Sequence, residues 1–127
     1  MQEDNQDKMY NSFISRIAKF FLDDAKDSLK IGAFDNSLCA DSSANKIIKG
    51  ILWLPDEGVD YFCDEFSKLI VQKMDKFLST KAGFVLLGLI EKGGRDYLLN
   101  EVSKHKSGLK DSLVGKHLLT LLKDKRK

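Results

Sequence analysis

Proline is nearly missing from this 127-residue chain. Pro55 is the only one, so long helices can run without an internal break. Cysteine is scarce too: Cys39 and Cys63 stand alone, neither in a CxxC pair, which excludes a disulfide framework and a thiolate metal site. Both are expected as free thiols. The two histidines, His105 and His117, lie too far apart for a zinc-finger pair, so no metal is expected. The longest uncharged apolar run, Ala82 to Ile90, falls well short of the roughly 20 residues a membrane-spanning helix needs. The opening Met1-Gln2-Glu3-Asp4 is acidic and polar, unlike a secretory or transit signal, and an intracellular chain is expected.

Charge is plentiful, and the net +2 hides how it is distributed. Residues 1–66 carry 7 Lys+Arg against 13 Asp+Glu, a net of −6, whereas residues 67–127 carry 14 against 6, a net of +8. Such asymmetry points to a polyanion partner at the basic end, or to a lysine-rich solvated surface.

Eighteen leucines and almost no strict alternation of apolar and polar residues predict an all-α protein of six helices. The first spans 8–29, with Met9, Phe13, Ile17 and Phe21 in one stripe and Tyr10 and Ile14 alongside. Residues 31–41 read as a loop anchored by Phe34. Ser42 or Ser43 caps a second helix that runs to about Leu54, where Pro55 stops it and Trp53 anchors the turn in the core. A third follows Gly58 and carries Phe62, Phe66, Leu69, Ile70, Met74 and Phe77. Ser79-Thr80 caps a fourth, which ends at Gly93-Gly94, and the fifth covers 95–105. Lys106-Ser107-Gly108 breaks the chain, and Asp111 or Ser112 caps a sixth that runs into the basic tail Lys123–Lys127. Phe66, Leu69, Leu86, Leu89 and Ile90 are expected in the core.

A shift of 36 residues lays Gly58, Asp60, Tyr61, Glu65, Ser67 and Lys68 on Gly94, Asp96, Tyr97, Glu101, Ser103 and Lys104 without gaps. The stretch 47–52 then overlies 83–88, and a shift of 32 lays Val114-Gly115 on Ala82-Gly83. This periodicity suggests a helical-hairpin repeat. It divides the chain into an N-terminal helix and loop (8–42), one unit at 43–79, a second at 80–111, and a terminal half unit with its basic tail at 112–127.

The repeat resembles those of Pumilio-type RNA-binding proteins, and among them the divergent nucleolar branch. The helices opening at Ser79-Thr80-Lys81-Ala82-Gly83 and Asp111-Ser112-Leu113-Val114-Gly115, each followed by an apolar run, have the family's form, as they would also have in armadillo-like repeats. The resemblance covers roughly residues 43–127 and implies stacked helical hairpins in a right-handed α-solenoid segment. It also implies RNA binding, ribosome biogenesis and a nucleolar or cytoplasmic location. In the family, three side chains after the helix-opening glycine read one base. Here those positions hold Phe84, Val85 and Gly88 in one unit and Ile48, Lys49 and Leu52 in another, so the base code is largely absent. Only Lys116, His117 and Thr120 form a polar set.

Catalytic signatures are missing. Gly108 to His117 departs from a phosphate loop, with six residues between its glycines rather than four and no Ser or Thr after Gly115-Lys116. Asp56, Glu57, Asp60, Asp64 and Glu65 gather where they would favour a helix N-terminus. No enzyme activity and no cofactor are expected. The candidate RNA contacts are Lys104, Lys106, Lys110, Lys116, His117, Thr120, Lys123, Lys125 and Arg126, because lysine heads on flexible stems suit phosphates. The alternative is a protein-interaction scaffold or self-associating subunit that binds no nucleic acid. Neither reading involves a membrane.

Overall fold

The structure is a computed structural model that describes residues 9–125, with side chains to residue 123. Among these residues the chain is all-helical and has no strand. The helices are α1 (Phe13–Lys30), α2 (Ser42–Ile51), α3 (Glu57–Gln72), α4 (Met74–Leu78), α5 (Gly83–Lys92), α6 (Asp96–Ser103) and α7 (Leu113–Lys125). Short 3-10 turns occupy Phe34–Asn36, Leu38–Ala40 and Lys106–Asp111. No helix here is long and apolar enough to cross a membrane.

Side-chain caps set most of the starts. Ser12 Oγ accepts the Ser15 N–H at 3.0 Å ahead of α1. Asp41, not Ser42 or Ser43, caps α2, accepting from the Ser43 and Ala44 amides at 3.1 and 2.9 Å; its carboxylate one residue upstream takes both orphan donors at once. Asp56 caps α3 through the Val59 amide at 3.1 Å. The Ser12 hydroxyl, followed by the Val59 and Gly58 amides, holds the Asp56 carboxyl below the usual carboxylate range, against a smaller opposing effect of burial. Ser112 Oγ accepts from the Gly115 amide at 2.9 Å and starts α7.

Two predicted elements differ. The expected third helix is broken at Lys73, whose φ of −130° and ψ of 39° are not helical and separate α3 from α4. The long first helix begins at Phe13, after a non-helical Tyr10–Ser12, while residue 8 lies outside the described residues; of its predicted stripe Tyr10 and Phe21 are buried, and Ile14 and Ile17 pack half-buried against the core. Ser15, Ala18, Phe21, Leu22 and Ala25 are buried, whereas Met9 and Phe13 are exposed. Small side chains let α1 approach α3 closely, and this outweighs the larger apolar groups on the other face. Trp53 is also 57% exposed rather than a core anchor; Ile51 and Leu52 fill the core at that turn.

Helix α1 packs on α3 and α3 on α6, while α2 packs on α5 and α5 on α7. An aromatic chain ties the elements together. Phe34 meets Phe77 at 4.8 Å between ring centroids, Phe77 meets Phe66 edge-on at 5.4 Å, and Phe66 stacks on Phe62 at 5.1 Å. Phe66, Leu86 and Leu89 are fully buried as expected, with Leu69 and Ile90 half-buried around them.

Burial refines the periodicity. Phe62, Cys63 and Phe66 on α3 match Leu98, Leu99 and Val102 on α6 at a spacing of 36. On the preceding helices the buried set Asn45, Ile48, Ile51 and Leu52 matches Ala82, Val85, Gly88 and Leu89 at a spacing of 37. Ile47, laid on Gly83 by the ungapped shift, is 56% exposed, whereas Gly83 is buried.

Three glycines, Gly58, Gly83 and Gly115, let backbone lie against a helix; at Gly58 a Cβ would overlap Ser15 and the Met9 carbonyl. A Cβ at Gly83 would lie 2.8 Å from both the Phe77 carbonyl oxygen and Val114 Cγ1, and a Cβ at Gly115 would overlap the Leu109 carbonyl. Gly115→Ala is expected to destabilise the fold by about 1–3 kcal/mol through overpacking. Gly50→Ala, on an open helix surface with nothing within 4 Å, is expected to stabilise it by about 0.5–1 kcal/mol. Denaturant midpoints of the two variants beside wild type check the pair.

Candidate nucleic-acid interface

The basic C-terminal half is built on the turn 106–111 and helix α7. Leu109 is the buried plug of the turn, and its carbonyl rests on Gly115, so turn and helix form one unit. Lys106 and Lys110 project from the turn. On α7, Val114, Gly115, Leu118 and Leu122 face inward, which leaves Lys116, His117, Thr120 and Lys123 exposed on the outer side. Among the described residues no carboxylate pairs with Lys106, Lys110, Lys116 or Lys123. Lys104 is exposed but ion-paired with Glu101 at 3.1 Å. The Thr120 hydroxyl donates to its own helix, at the Lys116 carbonyl 3.1 Å away. Lys125 lies on α7 with its side chain outside the described residues, and Arg126 lies outside them altogether.

Of the positions that the resemblance would assign to base reading, four are interior, and Lys116, His117 and Thr120 are exposed. Ile48, Leu52, Val85 and Gly88 are buried. Phe84 is half-exposed, with Lys49 Nζ 5.0 Å from its ring centroid, a cation–π contact between α2 and α5.

Beside these groups runs a groove of about 950 Å³ that sequence reading missed. One wall comes from the α4–α5 turn and α5, the other from the end of α6, the turn 106–111 and the start of α7. Leu78, Phe84, Leu113 and Val114 supply its apolar surface; Lys81, Lys104, His105, Asp75 and Asp111 supply charge and ring nitrogens. No single residue in the sequence marks it, because its two walls are distant in the chain. Between α2 and α5, the Asn45 amide donates to the Cys39 carbonyl at 2.7 Å and to the Lys81 carbonyl at 3.1 Å, drawing two units together. In the burial register Ala82 stands where Asn45 does, and a methyl group cannot make that bridge to α7.

Both cysteines are free and buried. Burial pushes the Cys39 thiol up to about 11, against a smaller opposing effect of the Ser37 hydroxyl 3.4 Å away. Burial also raises the Cys63 thiol, with Lys92 and Arg95 opposing. Lys92 Nζ sits 3.8 Å from the Cys63 sulfur, donates to the Leu52 carbonyl at 2.6 Å and pairs with Asp60 at 3.3 Å.

No protein-family model matches the chain, and no curated protein or solved structure shows significant similarity to it.

The raised thiols carry a linkage consequence. The folded state keeps its Cys39 proton through the range near 9 where an unfolded thiol ionises, so stability should fall as pH rises from about 9 towards about 11. Cys39→Ala should make that alkaline loss shallower, as read from urea unfolding at a series of pH values. Both native thiols should also react slowly with a disulfide reagent at neutral pH until the protein is unfolded.

Proposed function

We propose that this chain is a non-catalytic binding module that holds RNA through phosphate contacts of its basic C-terminal half, on a scaffold of stacked, Pumilio-like helical hairpins. Stacking is supported by the neighbour order α2–α5–α7 beside α1–α3–α6. It is further supported by the Asn45-to-Lys81 hydrogen bond across one repeat length, and by the recurrence of a carbonyl seated on a glycine six residues later, Phe77 on Gly83 and Leu109 on Gly115.

The observation that carries the RNA reading is the set of exposed cations that have no carboxylate partner among the described residues, Lys106, Lys110, Lys116 and Lys123, with His117 and Thr120 among them. Point charges on flexible stems engage phosphates without fixing a base sequence. The burial of Ile48, Leu52, Val85 and Gly88 supports the same view, because apolar interior positions offer nothing to a base edge. Such a module binds structured or single-stranded RNA with little sequence preference. Its proposed setting is intracellular, in the nucleolus or cytoplasm, with ribosome assembly as the process the resemblance suggests.

A salt titration of RNA binding tests this reading. Log affinity should fall linearly with log salt for wild type. The double variant Lys116→Glu with Lys123→Glu should weaken all RNA sequences alike and flatten the slope by about 1.4, at about 0.7 per phosphate contact on a single strand. Lys26→Glu with Lys30→Glu, which makes the same charge change on α1, should have the smaller effect. Absence of wild-type binding at low salt would refute the proposal.

A further inference from the structure

We propose that Ser107 is a phosphorylation site for a kinase that selects basic residues before serine, and that its phosphate releases RNA by neutralising Lys106 and Lys110. This inference rests on the RNA reading and names how that surface is regulated.

The first observation is a hydroxyl left without a partner. Ser107 is exposed on the turn 106–111, and among the described residues its hydroxyl makes no hydrogen bond. The other hydroxyls of the basic end are engaged. Ser103 donates to the Asn100 carbonyl at 2.6 Å, Thr120 donates to the Lys116 carbonyl at 3.1 Å, and Ser112 accepts the Gly115 amide at 2.9 Å. A kinase must break a helix contact at each of those three, and none at Ser107.

The second observation is the chain around it. Lys104, Lys106 and Gly108 are exposed and His105 is half-buried, while a Cβ at Gly108 would meet nothing within 4 Å. Lifting this stretch into a kinase cleft breaks 3-10 turn bonds such as that from the Gly108 amide to the His105 carbonyl, at 3.1 Å. Such bonds have poorer geometry than those of an α-helix. The buried plug, Leu109, lies beyond the stretch and can stay in place.

Charge selects the kinase class. Lys104 and Lys106 stand three and one positions before Ser107, and Lys110 stands three after it. A kinase with an acidic substrate cleft reads such a pattern. Ser79 also has a lysine three positions before it, Lys76. There, however, the intervening Phe77 is fully buried, and the Ser79 hydroxyl donates to the Lys76 carbonyl at 3.3 Å.

In the transfer, the Ser107 oxygen attacks the terminal phosphorus of ATP held by the kinase. The new O–P bond forms as the bond to the bridging oxygen breaks. ADP leaves with that electron pair, and the hydroxyl proton passes to the kinase's base. The phosphate brings about −1.5 to −2 charges and three strong acceptor oxygens. Side chains at i and i+3 eclipse in a 3-10 turn, which sets Ser107 and Lys110 on one edge with Lys106 adjacent in the chain. Neither lysine has a carboxylate partner among the described residues, so one phosphate balances both. Lys104 is already paired with Glu101. Lys116 and Lys123 on α7 keep their charge, so RNA affinity falls without vanishing.

The test treats the full chain with Mg-ATP and a constitutively active kinase of this specificity, and maps phosphate by mass spectrometry. Ser107 should be modified before Ser79, Ser103, Ser112 or Thr120. Salt titrations of RNA binding then compare treated and untreated protein. Phosphorylation should weaken binding roughly tenfold or more at about 0.1 M salt and flatten the slope by about 1.4, the loss of two contacts at about 0.7 each. Circular dichroism melts of the two forms should coincide, because the change is one of charge and not of fold. Ser107→Ala should bind RNA as wild type does and should be indifferent to the kinase. Preferred modification of another hydroxyl overturns the proposal, as does no modification of Ser107. So does a treated Ser107→Ala that loses affinity as wild type does. Equal RNA affinity before and after phosphorylation of Ser107 refutes the switch alone. Untreated wild type that binds no RNA refutes the underlying RNA reading, and the switch falls with it.

Discussion

The C-terminal half depends on backbone lying directly against helix. The Leu109 carbonyl rests on Gly115 and the Phe77 carbonyl on Gly83, and at neither place is there room for a Cβ. The contact at Gly115 fixes the turn 106–111 to α7, buries Leu109, and sets Lys110 and Lys116 on one continuous surface. The contact at Gly83 does the same for α4 and α5, and it brings Val114 of α7 against the start of α5. At these two places the missing side chain lets a turn lie directly on the helix that follows it.

The electrostatic arrangement builds on that frame. Several carboxylates of the acidic half are engaged at helix starts or across helices. Asp41 and Asp56 cap α2 and α3, Asp24 accepts the Leu38 amide at 2.7 Å, and Asp60 and Asp64 pair with Lys92 and Arg95. The last two pairs join α3 to the end of α5 and the start of α6. They consume the only cations between Lys81 and Lys104, so the remaining positive charge is concentrated at the far end of the molecule. Exposed pairs of this kind add little stability, about 0–1 kcal/mol each. Their effect is to sharpen a polarity already present in the composition.

Much of the helix content was legible in the sequence because apolar spacing and turn residues agree. Phe34 anchors its loop, Pro55 follows the end of α2, and Ser112 starts α7 as its spacing requires. Other features were not legible. The face of α1 turned on steric fit: Ser15, Ala18 and Ala25 bury better against α3 than Phe13 would, and hydrophobicity alone points the other way. The break at Lys73 lies in a residue with no turn propensity of its own. The ungapped shift of 36 concealed the one-residue offset between α2 and α5, because the identities that fix it sit on the other helix of each pair. For the site, the exposed lysines were readable from charge alone. The groove was not, since its two walls, the α4–α5 turn with α5 and the turn 106–111 with the start of α7, lie far apart in the chain and only the fold brings them together.

The neighbour relations of α7 have a dynamic consequence. It is held by α5, α6 and the turn 106–111, whereas α3 has α1 on one side and α5 and α6 on the other. A helix with cover on one side can detach while the remainder stays folded, so its opening free energy lies below that of global unfolding. Backbone amides of α7 should therefore exchange with solvent deuterium sooner than those around Phe62 and Phe66, which are released only when the whole molecule opens. The surface that carries the free lysines is then also the part of the fold most able to reshape itself around whatever it meets.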